Sequence, residues 1–239
     1  MEIFSLEGWY VLMRWLHVMA GITWIGMLYY FNFVQTPFFG SELGGTAKSA
    51  MTRGLVPNAL WWFRWGAMFT FLSGLLILLT KWGHDKAPLG SGYMTLILTG
   101  ALLGTIMFLN VWLVIWPAQQ VVIANAETVA SGGQANPAAA ARGARAGLAS
   151  RTNTLFSIPM LFFMVAAANF SSIYSGLATG RGSLTLYWIV TFLLVGALEA
   201  NCLVGTGQAR QKMLGTVSGT IHAGLGVTVV LYVLMALFL

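Results

Sequence analysis

Six apolar runs divide the chain: Trp9–Val34, Leu60–Thr80, Gly92–Trp116, Leu155–Tyr174, Leu184–Val204 and Gly219–Leu239. Each is nearly free of charge. Each has the roughly 20 residues that a helix needs to cross a hydrocarbon core about 30 Å thick. None alternates in polarity from one residue to the next, as the strands of an outer-membrane barrel would. A helix satisfies its own backbone groups in lipid, whereas an open strand does not. The pattern therefore predicts an all-α, polytopic membrane protein, with residues 1–239 as a single transmembrane domain. Its architecture is a bundle of about six transmembrane helices.

The polar stretches predict the connections. Pro37 to Asn58 reads as a Gly-rich polar loop carrying Lys48 and Arg53. Trp82 to Ser91 reads as a short loop with His84, Asp85 and Lys86 in it and Lys81 beside it. Pro117 to Arg151 is the longest connection. Within it Gln119–Thr128 and Ala138–Ala149 are helix-forming, and Ser131–Pro137 breaks them apart. Helices three and four are thus expected to run on as a hairpin projecting on the cytoplasmic side.

Composition sharpens this picture. Only 8% of the 239 residues are charged and 58% are hydrophobic, against about 25% charged in a soluble domain. Such a chain cannot cover a water-facing surface, so its partner is the lipid bilayer. The net charge of +6 is no nucleic-acid footprint, because the cations stand singly between apolar runs. They read as topology signals instead. Arg14, Lys81, Lys86 and Arg181 lie toward the N-terminal side. Lys48, Arg53, Arg64, Arg142, Arg145, Arg151, Arg210 and Lys212 lie toward the far side. That excess puts the far side in the cytoplasm and both termini outside it. Trp9, Trp15, Trp82 and Trp188 fall near one set of helix ends, and Trp61, Trp62, Trp65, Trp112 and Trp116 near the other. Such paired aromatic belts mark the two interfaces. The single Cys202 excludes an internal disulfide and a Cys-based metal cluster. The acidic start, with Glu2 and Glu7, has no basic region of the kind that opens a cleavable signal peptide.

Polar groups inside lipid are costly, so they are the default functional candidates. The apolar runs hold seven: His17, Asn32, Arg64, Asn110, Glu199, Asn201 and His222. His17 is followed four residues later by Gly21, and His222 by Gly226. Positions i and i+4 share a helix face, so each glycine leaves space beside the imidazole for a flat ring such as haem b. Neutral imidazole is also a common iron ligand. The competing reading is a histidine that bonds a neighbouring helix and packs on a small residue. Depth also separates His17 from His222, by roughly 10 Å at 1.5 Å per residue, whereas two axial ligands must face one iron. His84 is closer in depth to His17 and is the alternative partner.

Arg64 and Glu199 are the strongly charged residues well inside the runs, and both lie in the far-side half. They are the catalytic candidates, and their similar depth permits an ion pair. With Asn110, Asn201 and His222 they make either a polar pocket open to the far side or a set of inter-helix hydrogen bonds. No phosphate-cradling loop, zinc spacing or serine-nucleophile elbow is present.

Several stretches resemble the bacterial membrane-bound urate oxidase (urate hydroxylase) family. Arg14-Trp15-Leu16-His17 with Gly21, Trp24-Ile25-Gly26 and Tyr29-Tyr30-Phe31-Asn32-Phe33-Val34 is similar to its opening helix. Trp62-Phe63-Arg64-Trp65-Gly66-Ala67, with Thr70 and Ser73-Gly74, is similar to its second motif. Gly100-Ala101-Leu102-Leu103-Gly104-Thr105 and Asn110-Val111-Trp112-Leu113-Val114-Ile115-Trp116-Pro117 resemble its third. Asn153, Ser157-Ile158-Pro159-Met160-Leu161-Phe162 and Thr220-Ile221-His222-Ala223-Gly224 follow in the same order. The first helix alone also resembles membrane haem proteins of the protoporphyrinogen oxidase type. The urate oxidase resemblance implies a helical membrane domain, often fused to a cytochrome c, that passes electrons from purine oxidation toward the respiratory chain. Two departures stand out. These 239 residues hold no Cys-x-x-Cys-His haem attachment, so the fused cytochrome c is expected to be missing, and Gly66 stands where the family motif has an acidic residue. The resemblance implies a membrane oxidoreductase working with a separate cytochrome c or other membrane subunits. The alternatives are a non-catalytic subunit of a larger respiratory or oxidase complex, and a small-molecule transporter.

Overall fold

The computed structural model describes residues 2–170, 183–204 and 213–238, and every regular element among them is helical. After a short 3-10 turn come α1 (Leu6–Tyr29), a π turn (Tyr30–Gln35) and α2 (Thr36–Phe39). The long α3 (Glu42–Gly83) follows. The pattern then repeats with α4 (Gly92–Leu109), a second π turn (Asn110–Ile115), α5 (Trp116–Ala130) and α6 (Ala139–Asn169). Helices α7 (Leu184–Val204) and α8 (Val217–Phe238) close the bundle. Six continuous helical segments are long and apolar enough to cross a membrane. The end of the fourth predicted run at Tyr174, and the cations Arg181, Arg210 and Lys212, lie outside the described residues.

Serine caps start α1, α3 and α4, and Ser183 likewise caps α7 through the Leu186 N–H. Ser5, Ser41 and Ser91 each turn the side-chain oxygen onto a backbone N–H of the first turn, at Gly8, Gly44 and Met94. Each satisfies a donor that has no partner within its helix. The Ser41 cap explains a correction to the sequence reading. Pro37 to Asn58 is not a loop: α3 begins at Glu42 and carries Lys48, Arg53 and Pro57 within it. The cap and an acidic first residue, favourable at a helix N-terminus, outweigh the glycines. The helix is 42 residues long, about 63 Å at 1.5 Å per residue, so half of it lies beyond any hydrocarbon core. The α5–α6 hairpin forms as expected, with Gly132 at φ 82° in the turn. There the backbone N–H of Asn136 donates to Asn125 Oδ1 at 2.6 Å.

The two π turns share one cause. Each comes just before a proline, Pro37 or Pro117, at the start of the next helix. Proline has no N–H for the carbonyl four residues back, here that of Phe33 or Leu113. The ladder widens one step early: Thr36 N–H reaches Phe31 O, and Trp116 N–H reaches Val111 O, each five residues back. The helix continues without a break, and the wider turn aims its side chains differently.

Two antiparallel pairs dominate the packing, α1 with α3 and α4 with α6, and α6 also meets α5, α7 and α8. Close approach in the first pair depends on Gly66. A Cβ there would stand 3.0 Å from the Trp24 backbone nitrogen and 3.3 Å from the Ala20 carbonyl oxygen. An acidic side chain at that position would force α1 and α3 apart. Glycine at 66 is what this crossing requires.

Candidate functional site

The chemistry-bearing side chains gather on α6 and the two π turns. α6 buries a polar string, Thr152, Asn153, Thr154 and Ser157, at its middle. The second π turn delivers Asn110 to it. Asn110 Nδ2 donates to Asn153 Oδ1 at 2.9 Å and to Glu199 Oε2, on α7, at 3.1 Å. Asn153 Nδ2 donates to the Met107 carbonyl at 2.9 Å. The orientation of both amides is forced, because each NH2 faces oxygen acceptors. Asn110 and Asn153 are buried, and Glu199 is half-buried. The first π turn places a parallel contact one turn away. Asn32 Nδ2 donates to Ser150 Oγ at 2.7 Å, and the Tyr29 hydroxyl meets Ser157 Oγ at 2.9 Å. Beside them Asn32, Arg151, Thr154 and Thr220 line a cavity of about 10 Å³, room for about one water. Arg151 is anchored to the Leu214 carbonyl at 2.8 Å. π turns recur at functional sites because they re-aim side chains, and both do so here.

Arg64 and Glu199 do not form the ion pair that their depth permits. Both adjoin the second π turn, but at different residues. Glu199 meets Asn110, while the Arg64 guanidinium lies 3.8 Å over the Trp116 ring and 6.0 Å from that of Trp112. Asn201 makes no side-chain hydrogen bond with a described residue, and His222 is exposed on α8. The salt bridges among the described residues are at the N-terminal side instead. There Asp85 pairs with Lys81 at 2.7 Å and His84 at 3.3 Å, and it accepts from the Tyr10 hydroxyl at 2.9 Å. The lysine hydrogen bond and then the tyrosine one lower the Asp85 carboxyl to about 2.

The histidines are held apart. His17 Nδ1 lies 2.9 Å from the Thr70 carbonyl and 3.2 Å from Ser73 Oγ, both on α3. Its ring fills the gap at Gly74, where a Cβ would come within 2.9 Å of Cε1. Gly21 faces Thr70, 3.8 Å from where its Cβ would be, so the gap expected to admit a porphyrin is closed by α3. His222 Nδ1 bonds its own helix, 2.7 Å from the Ser218 carbonyl, and nothing packs on Gly226. His84 is exposed beside Asp85, ten residues beyond Gly74, about 15 Å along the helix axis. As placed, these residues do not fit a bis-imidazole haem b, either as His17–His222 or as His17–His84. Among the described residues no group of three His, Cys, Asp or Glu side chains could hold a metal ion.

Asn153, the hub of the cluster, was invisible to hydropathy. The fourth apolar run starts at Leu155, just past the polar string, so Asn153 enters only through the family motif. Ser150, Ser157 and Thr70 carry no signal of their own. The indirect clue is the pairing of Asn and Pro in both Asn32…Pro37 and Asn110…Pro117, each at the end of an apolar run.

A sequence model described as urate oxidase N-terminal matches residues 81–232. The chain belongs to that family. The match covers the second π turn, α6 and α7, and hence Asn110, Asn153 and Glu199, as well as His222. His17 and Arg64 fall before it. No curated protein and no solved structure matches the chain.

Proposed function

We propose that this chain is the membrane oxidoreductase of a urate-oxidase-type system. It sits in a bacterial inner membrane with its far side in the cytoplasm, and it passes electrons from urate toward a cytochrome c or the respiratory chain. Family membership supports urate as the substrate class. One observation carries the mechanism: Glu199 is held by the Asn110 amide inside the bundle, and no described residue bonds its second carboxylate oxygen. Oxidative hydroxylation of urate by water releases two electrons and two protons. The electrons go to one-electron acceptors. Glu199 takes up one of the protons, a task that general-base catalysis assigns to a positioned carboxylate, and water takes the other. Asn110 and Asn153 hold that carboxylate in place. No step runs through haem, since the histidines do not assemble a site for it.

The test is direct. The protein, purified in mild detergent, is mixed anaerobically with urate and oxidised cytochrome c. The expected outcome is loss of urate with two cytochromes reduced per urate consumed. Absence of urate loss with cytochrome c and with quinone acceptors, together with co-purifying respiratory subunits, would replace this reading by the non-catalytic subunit.

A further inference from the structure

Among the described residues, none accepts a hydrogen bond from any of the five N–H donors of Arg64. It forms no salt bridge and no hydrogen bond with a described residue, only ring contacts. The other described arginines of the far-side half are either exposed, as Arg142 and Arg145 are, or bonded. Arg151 donates to the Leu214 carbonyl and Arg53 to the Ser49 carbonyl. Arg64 is partly buried, and its Nε is fully buried with no acceptor. Trp112, whose ring centre is 6.0 Å from the guanidinium carbon, has a second fully buried donor without an acceptor, its indole Nε1. Two orphaned donors side by side are unusual, since buried donors nearly always find a partner. Leaving one unmade costs more than a typical hydrogen bond contributes. An acceptor belongs between them.

The geometry says what kind. The Trp116 ring, 3.8 Å away, covers one face of the guanidinium. The edge remains, and a guanidinium edge offers parallel N–H groups that match the oxygens of an oxyanion. No described carboxylate reaches it. Trp61 and Trp62, 46% and 58% exposed, stand on the same stretch of α3, at the depth where tryptophan marks a membrane interface. An anion can therefore arrive from water or from the headgroup layer. We infer that Arg64 and Trp112 form an oxyanion site between α3 and the second π turn, open to the far-side interface. The chemistry is shared by a phosphate headgroup and by a soluble oxyanion such as phosphate or urate. The site does not depend on the redox reading.

The experiment follows the unfolding temperature of the whole protein in neutral detergent, with sodium chloride as the reference. The probes are sodium phosphate, sodium urate without an electron acceptor, and short-chain phosphatidylglycerol. An anion that binds the folded state raises the midpoint with concentration. At least one probe is expected to do so, and which one identifies the source. Arg64→Gln should weaken that binding by about tenfold or more, the effect of losing one charge-assisted hydrogen bond. Trp112→Phe keeps the ring, removes only the N–H and should weaken binding by about threefold. If Arg64→Gln does not fold, the phenylalanine variant decides the matter alone. The inference is overturned if no probe exceeds chloride, or if the variants respond as the parent does; water would then be the acceptor. Anion binding that depends on Arg64 in a protein that never oxidises urate would leave the site standing and remove only the redox reading.

Discussion

The two π turns are the same backbone device used twice, and they differ in what they hold. Both end a membrane-crossing helix, come just before a proline and present an asparagine to α6. Asn32 of the first turn has one bond to another helix, at Ser150, and one within its own helix, to the Leu28 carbonyl. Asn110 of the second turn has two bonds to other helices, one of them to a carboxylate. The first turn is thus a packing contact. The second is the same contact extended to a group that can exchange a proton. Function belongs where the device has gained the carboxylate.

The sharpest test is Glu199→Gln. Glutamine keeps the size and still offers Asn110 an oxygen, but it cannot take a proton. Urate turnover should fall about a hundredfold, the low end for loss of a general base, or about 2.7 kcal/mol at 1.36 kcal/mol per decade. The unfolding midpoint should barely move. Unchanged turnover in a steady-state assay would reduce the second turn to packing as well. Next comes Asn153→Ala, which removes two inter-helix bonds at once, to Asn110 and to the Met107 carbonyl. Such bonds average about 0.6 kcal/mol in membranes and reach about 1.7, so about 2 kcal/mol of stability should be lost in reversible unfolding from detergent. Asn32→Ala removes one, and about 0.6 to 1 kcal/mol should go with it, with urate turnover kept. If Asn32→Ala proves the more damaging of the two, the contrast between the turns fails.

The helices could be read from the sequence because lipid imposes one demand on every residue of a span, and hydropathy records it. The α5–α6 hairpin could be read because Ser131–Pro137 is a local breaker. The site could not be read in the same way. Hydropathy excludes Asn153 from the span because it is polar, although it is polar for partners on the neighbouring α4 and its π turn rather than for water. Depth alone placed Arg64 and Glu199 together, but depth says nothing of the azimuth at which a side chain leaves its helix. The π turns change that azimuth. They face Asn110 toward α6 and α7, and Trp112 and Trp116 toward α3, so the two charges meet different residues. In the same way His17 and Gly21 do share a face, as their spacing requires, but α3 occupies it. Position 66 is the opposite case. There a departure from the family motif takes its meaning from the Trp24 backbone, which would stand 3.0 Å from any Cβ at that position.

The smallest effect concerns the other end of the α1–α3 pair. Near the start of the first span, Tyr10 of α1 donates to Asp85, just past α3, and Lys81 shares the same carboxylate oxygen. This clamp closes the pair that holds the first π turn. The folded Asp85 carboxyl sits at about 2, below its ordinary 3.8, so the unfolded chain binds the proton more readily. Its contribution is therefore fully present above the unfolded value and is lost as pH falls through the folded one. Protection of the amides of residues 6–14 against hydrogen exchange, relative to the unfolded chain at the same pH, should be steady above pH about 5 and fall relative to the bundle centre as pH drops toward about 2. Asp85→Asn should abolish that pH dependence while leaving the exchange of α6 untouched. If the acid response survives in Asp85→Asn, the clamp is not its source. Glu7, the other acidic side chain at that end of α1, would then be the group to replace.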